Sequence, residues 1–269
     1  MSVPALVGVV PAAGRATRLG AIPCSKEILP VAGAAPSGVA VRVACHSLLE
    51  SMALAGVRRC LVVVDVSKCD VVEFLGDGGP LGMDLAFLAV RDSPDTPTTV
   101  DRARGHVGDA TVVFGFPDIQ IEPVDALARV TRRRQTGGAD IVLGVLPATD
   151  VTRVDMVTLD GERVVSILPK PAETDLTLTW LLAAWGPTFT EFLHIQVSRG
   201  LDGRGEVFIG DIVQSAIDTG LVVEAEVIAD GRYRDVGTPE DLAAAQRADL
   251  LGQPGPVARG PRPTARTRF

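Results

Sequence analysis

VVPAAGRATRLGAIPCSKEILPV occupies residues 9–31. It begins inside a run of small apolar residues, Ala5 to Ala12, that shows no alternation of apolar and polar positions and is followed by Gly14. Such a run reads as a strand buried on both faces, the kind found in parallel sheets covered by helices. A glycine-bearing turn after a buried strand exposes backbone N–H groups, which form a concavity for anions. Arg18 adds a planar fork suited to phosphate oxygens, and Lys26 adds a compact mobile charge. The segment holds neither G-x-x-x-x-G-K-[ST] nor G-x-G-x-x-G, so it is neither a Walker-type loop nor a dinucleotide fingerprint. Taken alone, the turn reads equally as an ordinary strand-to-helix connection with surface arginines.

Working outward, strands and helices alternate. Val41, Ala44, Leu48, Leu49, Met52 and Ala55 recur at three- and four-residue spacings ahead of Gly56, which predicts a helix over 37–55. Buried strands are predicted at 60–66 (CLVVVDV), 84–90 (DLAFLAV), 110–116 (ATVVFGF) and 140–147 (DIVLGVLP), with helices over 97–106 and 124–135. This order predicts an α/β fold with a doubly wound, mostly parallel sheet whose strand ends share a ligand-binding edge. After Pro147 the texture changes. Residues 154–171 read as a hairpin turning at Asp160-Gly161, followed by a strand over 176–185. Helices are predicted at 188–200, 210–220 and 239–251, and a strand at 221–229. The stretch 252–269, rich in Pro, Gly and Arg, reads as a disordered basic tail. The expected organisation is one domain over 1–251, with a part at about 1–147 and a second at about 148–235.

Bulk properties narrow the partners. With 269 residues, 46% of them hydrophobic, the chain can bury a large core. Mean hydropathy is +0.28, yet no apolar run approaches the roughly 20 residues of a membrane helix. No basic stretch opens the chain, so no secretory signal is expected. A formal net charge of −7 argues against general nucleic-acid binding. An anionic substrate would need a local cationic site. Cys24, Cys45, Cys60 and Cys69, with His46, His106 and His194, lack zinc spacing, which suits free thiols in a reducing cytoplasm. Of 26 Lys and Arg residues only Lys26, Lys68 and Lys170 are lysines, and asparagine is absent. An ammonium is a point charge that a guanidinium does not replace in a tight space, so these lysines invite inspection.

The segment around Gly14, Thr17, Arg18, Ser25, Lys26, Leu29, Pro30 and Val31 resembles the signature of the sugar-1-phosphate nucleotidyltransferases, which include glucose-1-phosphate thymidylyl- and uridylyltransferases. Ala16 replaces the second glycine of that signature, and the spacing from Arg18 to Lys26 is shorter than in the thymidylyltransferases. The resemblance continues in order over about residues 5–250. VVFGFPD (112–118) is similar to a strand ending in a metal-binding aspartate, here Asp118. GERVVSILPKP (161–171) places Lys170 at the family lysine, with Pro169 where glutamate is usual. GEVFIGDIVQSAIDTG (205–220) supplies Glu206 and Asp211. YRDVGTPEDLAAA (233–245) supplies a second metal aspartate, Asp235.

The resemblance implies a Rossmann-like nucleotidyltransferase fold with an inserted hairpin lobe for the sugar. It implies a cytoplasmic enzyme that uses Mg²⁺ to condense an NTP, with dTTP or UTP favoured, and a sugar-1-phosphate into an NDP-sugar and pyrophosphate. Arg18 and Lys26 take the catalytic positions, and Asp118 and Asp235 the metal. Ala13, Gly14, Thr17, Asp155, Lys170, Trp185 and Glu206 take the substrate positions. Lys26 and Lys170 fall on motif positions and Lys68 does not, so Lys68→Arg is expected to be silent.

Departures blur the substrate. Thr96, Thr98 and Thr99 stand where relatives place glycine, and their hydroxyls would either cap the next helix or meet the nucleotide. Asp155 and Met156 replace a glycine-containing Y-G-V. Asp155 would accept from sugar hydroxyls, and Trp180 or Trp185 would stack on a sugar face, or the three are a hairpin aspartate and two core tryptophans. A cytidylyl- or guanylyltransferase acting on a polyol phosphate or phosphonate, and a non-catalytic nucleotide-sugar-binding subunit, stay open, as does self-association.

Overall fold

A computed structural model describes residues 4–200 and 207–247. The tail expected at 252–269 and the candidate Glu206 lie outside the described residues. Eleven strands and eight α-helices follow one another among those described: β1 (Leu6–Ala12), α1 (His46–Leu54), β2 (Arg59–Asp65), α2 (Cys69–Leu75), β3 (Asp84–Val90), α3 (Thr96–Asp101), α4 (Arg104–Val107), β4 (Thr111–Gly115), β5 (Ile119–Glu122), α5 (Ala126–Thr136), β6 (Ile141–Pro147), β7 (Met156–Asp160), β8 (Arg163–Leu168), β9 (Leu178–Trp185), α6 (Pro187–Ser198), α7 (Ile209–Asp218), β10 (Val223–Val227), β11 (Arg232–Asp235) and α8 (Pro239–Arg247).

Nine strands form one sheet in the order β3-β2-β1-β4-β9-β6-β10-β8-β7. β1 pairs in parallel with β2 and β4, β2 with β3, and β6 with β10. β9 runs against both of its neighbours, β4 and β6, and the β7–β8 hairpin turns at Asp160-Gly161 as expected. The mostly parallel expectation therefore holds for seven strands of common direction, with β8 reversed near one edge and β9, from the later part of the chain, reversed in the middle. Because β9 is reversed, its first residues, Thr179 and Trp180, lie toward the edge where β1 and β4 end.

The unalternated apolar runs have a physical cause. Val7 and Val9 of β1 join a core with Val100, Phe189, Leu193, Ile212 and Val213 of α3, α6 and α7. Val10 and Ala12 face the other way, into a core with Leu48, Leu49, Met52, Val71, Leu127 and Val130 of α1, α2 and α5. Each such side chain contributes roughly 1.5–3 kcal/mol on burial, so both faces of the strand must be apolar.

Three expectations are corrected. The helix of 37–55 begins only at His46. Gly33 and Gly38 take positive φ (112° and 81°), and the chain doubles back so that Pro30 bridges Val43 and the Val31 N–H donates to the Arg42 carbonyl at 3.0 Å. The helix of 97–106 is two pieces, α3 and α4. The cap of α3 is Asp95, whose carboxylate accepts the Thr98 N–H at 2.8 Å, rather than a threonine. α2 and the two-stranded ladder of β5 with β11 were not anticipated.

Candidate active site

A cavity of about 1010 Å³ opens at the edge where β1 and β4 end, and Gly14, Thr17, Arg18, Lys26, Asp118, Asp155, Lys170 and Asp235 all line it. Its first wall is the turn after β1. Ala16 adopts φ 53° and ψ 33°, a left-handed conformation, and leads into a 3-10 turn over Thr17–Leu19. The resemblance puts a glycine at this position, and the backbone explains why a residue without Cβ suits it. The other described non-glycine residues with positive φ, Asp92 and Lys170, line the same cavity. Backbone strain of this kind concentrates at sites that need a fixed geometry.

The β5–β11 ladder builds the second wall. Asp235 pairs with Ile119, and the Val236 N–H donates to the Asp118 carbonyl at 2.9 Å. Two aspartates 117 positions apart are thus brought to one corner. The Lys26 ammonium donates to Asp118 Oδ2 at 2.7 Å. Arg153 Nη2 donates to Asp235 Oδ2 at 2.9 Å, and Arg18 Nη2 lies 3.9 Å from the same oxygen. Burial opposes the charge of Asp118, but the Lys26 ammonium outweighs it and holds the carboxyl below its ordinary range. Lys26, in turn, is raised: burial works against its charge and Asp118 overrides it. Asp235 goes the other way, raised by burial and by the charge of Asp118, with Arg153 and Arg18 only partly offsetting this. A buried carboxylate and a half-buried one that repel each other, compensated by three cations, fit a divalent cation, which prefers one or two carboxylates plus phosphate oxygens and water.

Lys68 overturns the expectation that it is a bystander. It is buried, and its ammonium donates to the Ala12 carbonyl at 2.8 Å and to both Glu27 oxygens at 2.8 and 2.9 Å. Glu27 adjoins Lys26 and is itself 1% exposed. The pair ties the end of β1 to the turn that carries Lys26. Lys68→Arg is therefore not expected to be silent, because a wide planar guanidinium does not fit that space.

Asp155, Lys170, Trp180 and Phe208 also line the cavity. The Lys170 ammonium sits 3.4 Å above the Phe208 ring. Asp155 is pushed up to about 6 by burial, with Lys170 partly opposing and Asp211 adding to the rise. Asp211 also closes the start of α7 by accepting the Phe208 N–H at 2.8 Å. Trp185 is corrected to a core residue. It is 2% exposed, packs against Phe114 and Phe189, donates to Thr190 Oγ1 at 3.1 Å and does not line this cavity. Ala13 does not line this cavity; it lies with Gly14 on a second hollow. Arg153 and Phe208 escaped sequence reasoning. Arg153 belongs to no motif, and only its proximity to Asp155 hinted at it.

A family model for nucleotidyl transferases matches residues 7–251, nearly the whole described chain. The chain belongs to the nucleotidyl transferase family. A glucose-1-phosphate thymidylyltransferase of Streptomyces antibioticus is 27% identical over 208 residues, 75% of this chain and 56% of the relative. The chain spans between 51% and 66% of the length of the curated relatives it matches. Among solved structures, a candidate glucose-1-phosphate thymidylyltransferase of Bacillus anthracis in complex with a sucrose is similar in fold at TM-score 0.74 and 17% identity, covering 90% of this chain and 94% of that one. The inositol-1-phosphate CTP transferase of T. maritima follows at TM-score 0.69 and 16% identity, covering 89% and 92%. Four of the family-like segments read from the sequence, those carrying Arg18 and Lys26, Asp118, Lys170 and Asp235, meet at this first cavity.

Proposed function

We propose that this nucleotidyl transferase, on a doubly wound Rossmann-like sheet, condenses an NTP with a sugar-1-phosphate to give an NDP-sugar and pyrophosphate. The observation that carries the reading is the convergence of Arg18, Lys26 and Lys170 with Asp118 and Asp235 on one cavity. In the reaction an acceptor phosphate oxygen bonds to the α-phosphorus, the bond from that phosphorus to the bridging oxygen breaks, and pyrophosphate leaves. Two anions must approach while charge gathers on the leaving group, so positioning and neutralisation dominate. Arg18 grips the triphosphate, Lys26 faces the α-phosphate, and Lys170 holds the acceptor phosphate. Asp118 and Asp235 hold a Mg²⁺, which when bound supplies positive charge to the phosphates. The first part of the chain, about 1–147, serves the nucleotide, and the part over 148–235 serves the acceptor.

dTTP or UTP is the favoured nucleotide and the cytoplasm the favoured compartment. Asp155, standing where a glycine is usual, favours as a second reading cytidylyl or guanylyl transfer to a polyol phosphate or phosphonate. The experiment is incubation with Mg²⁺, each of four NTPs and a panel of phosphorylated acceptors, with pyrophosphate as readout. Pyrophosphate that requires both substrates supports the reading, and the productive pair separates the two versions. No pyrophosphate from any pair would leave a non-catalytic binding subunit.

A further inference from the structure

Arg153 stands between two carboxylates and holds them unequally. Asp241, in the first turn of α8, takes both arms of the fork: Nη1 donates to its Oδ1 at 3.3 Å and Nη2 to its Oδ2 at 2.6 Å. Asp235, at the end of β11, takes one bond, from Nη2 to Oδ2 at 2.9 Å. A two-armed pairing of guanidinium with carboxylate is stronger and more directional than a single contact. Asp241 is therefore the anchor, itself fixed by the Thr238 hydroxyl at 2.7 Å, and Asp235 is the contact that can be given up. The Asp235 carboxylate has less freedom to leave. It lies against the Gly237 backbone, where a Cβ would stand 2.8 and 2.9 Å from its two oxygens. Arg153, Asp235 and Asp241 all line the cavity. A divalent cation on Asp235 would share that carboxylate with a like charge, and like charges at close range repel, the more so where water is partly excluded.

We propose that Arg153 is a displaceable counter-ion of Asp235. Before a divalent cation binds, it neutralises that carboxylate. When the cation binds, the guanidinium gives up Asp235 and keeps its two bonds to Asp241. Its charge is thereby paired in both states, which a partnership with Asp235 alone would not allow. The competition lowers the affinity for a free cation, and Arg153 sets that affinity as a positioning residue, not as a ligand. The arrangement favours a cation carried in by an anionic nucleotide over a bare one, because phosphate charge offsets the guanidinium that remains beside it. The inference rests on the proposed metal role of Asp118 and Asp235, and it assigns a task to a residue outside the motif positions.

The test measures Mn²⁺ binding to the full chain without nucleotide, by electron paramagnetic resonance of the free ion, with circular-dichroism melts to check folding. Arg153→Met should bind Mn²⁺ about 10-fold more tightly than the wild type. Arg153→Gln, a milder change, should shift the affinity in the same direction. Asp241→Asn should bind Mn²⁺ more weakly, by about 3-fold or more, because the guanidinium without its anchor falls wholly to Asp235. Loss of a nearby negative charge would also weaken binding, so the double variant decides between the two causes. In the Arg153→Met background, Asp241→Asn should leave Mn²⁺ affinity nearly unchanged. An Asp241→Asn effect that persists at full size without the guanidinium would overturn the inference. So would unchanged or weakened binding in both Arg153 variants alongside lost binding in Asp235→Asn, a result that leaves the metal assignment standing. Wild-type binding that survives both Asp118→Asn and Asp235→Asn, or no Mn²⁺ bound by the wild type and Arg153→Met alike, would remove the metal assignment and the inference with it.

Discussion

At the scale of single residues, lysine scarcity is the most informative fact about this chain. Lys26 bonds Asp118, Lys68 holds Glu27 beneath the same turn, and Lys170 lines the cavity against Phe208. In a chain otherwise dominated by arginine, all three surround the candidate site. Lys26→Arg should act mainly on kcat and Lys170→Arg mainly on acceptor KM, because each keeps its charge but moves it outward on a wider, planar group. Lys68→Met should cost about 3–5 kcal/mol in denaturant melts, the usual penalty for stranding one member of a buried ion pair. Wild-type-like kinetics in the two arginine variants, or a melt unchanged by Lys68→Met, would contradict these assignments.

Asp155 gives a pH prediction of definite sign. Its folded-state pKa is about 6 against an ordinary 3.8, so between those values the folded protein holds a proton that the unfolded chain has lost. Its contribution is present at low pH and lost as pH rises through about 6, a change on the order of 3 kcal/mol. The Tm gain of Asp155→Ala should therefore be larger at pH 7.5 than at pH 4. Equal gains at both would contradict the burial of this carboxyl.

At the scale of elements, what the sequence showed and what it hid divide along local and non-local lines. β3 was predicted at its observed bounds, because seven apolar-rich residues between turns carry their own signal. The hairpin at Asp160-Gly161 was equally visible, since the turn chemistry is local. The β5–β11 ladder was not. Each strand has four residues, and neither has a periodicity to read, because its stability comes from a partner more than a hundred positions away. Yet that ladder juxtaposes Asp118 with Asp235, so the proposed metal pair was legible only through family resemblance. The false helix over 37–45 has the opposite cause, an apolar spacing overruled by Gly33 and Gly38.

α8 illustrates how an element supports the site. The Thr238 hydroxyl accepts the Asp241 N–H at 3.2 Å and donates to its carboxylate at 2.7 Å. That carboxylate in turn accepts from Arg153 at 2.6 Å, and Arg153 reaches Asp235. Thr238→Ala should cost about 1 kcal/mol, as a lost helix cap does, measured by urea denaturation. A loss near zero would show that the network does not depend on the cap.

At the scale of the whole molecule, the central placement of β9 matters most. A strand from the later part of the chain, β9, lies between β4 and β6, so Trp180 and Asp118 are carried to one cavity by a shared sheet. The resemblance implied an inserted hairpin lobe, and chain order does not reveal that β9 lies between the two earlier strands β4 and β6. On the proposed function, this edge of the sheet performs metal-assisted nucleotidyl transfer. Asp235→Asn tests it most directly. Removing the charge of a half-buried carboxyl that already sits above its ordinary range should leave Tm nearly unchanged. The kcat for pyrophosphate formation at saturating Mg²⁺ should nevertheless fall by about 100-fold or more, equivalent to about 2.7 kcal/mol of transition-state stabilisation. A folded Asp235→Asn protein that turns over at the wild-type rate would contradict the account.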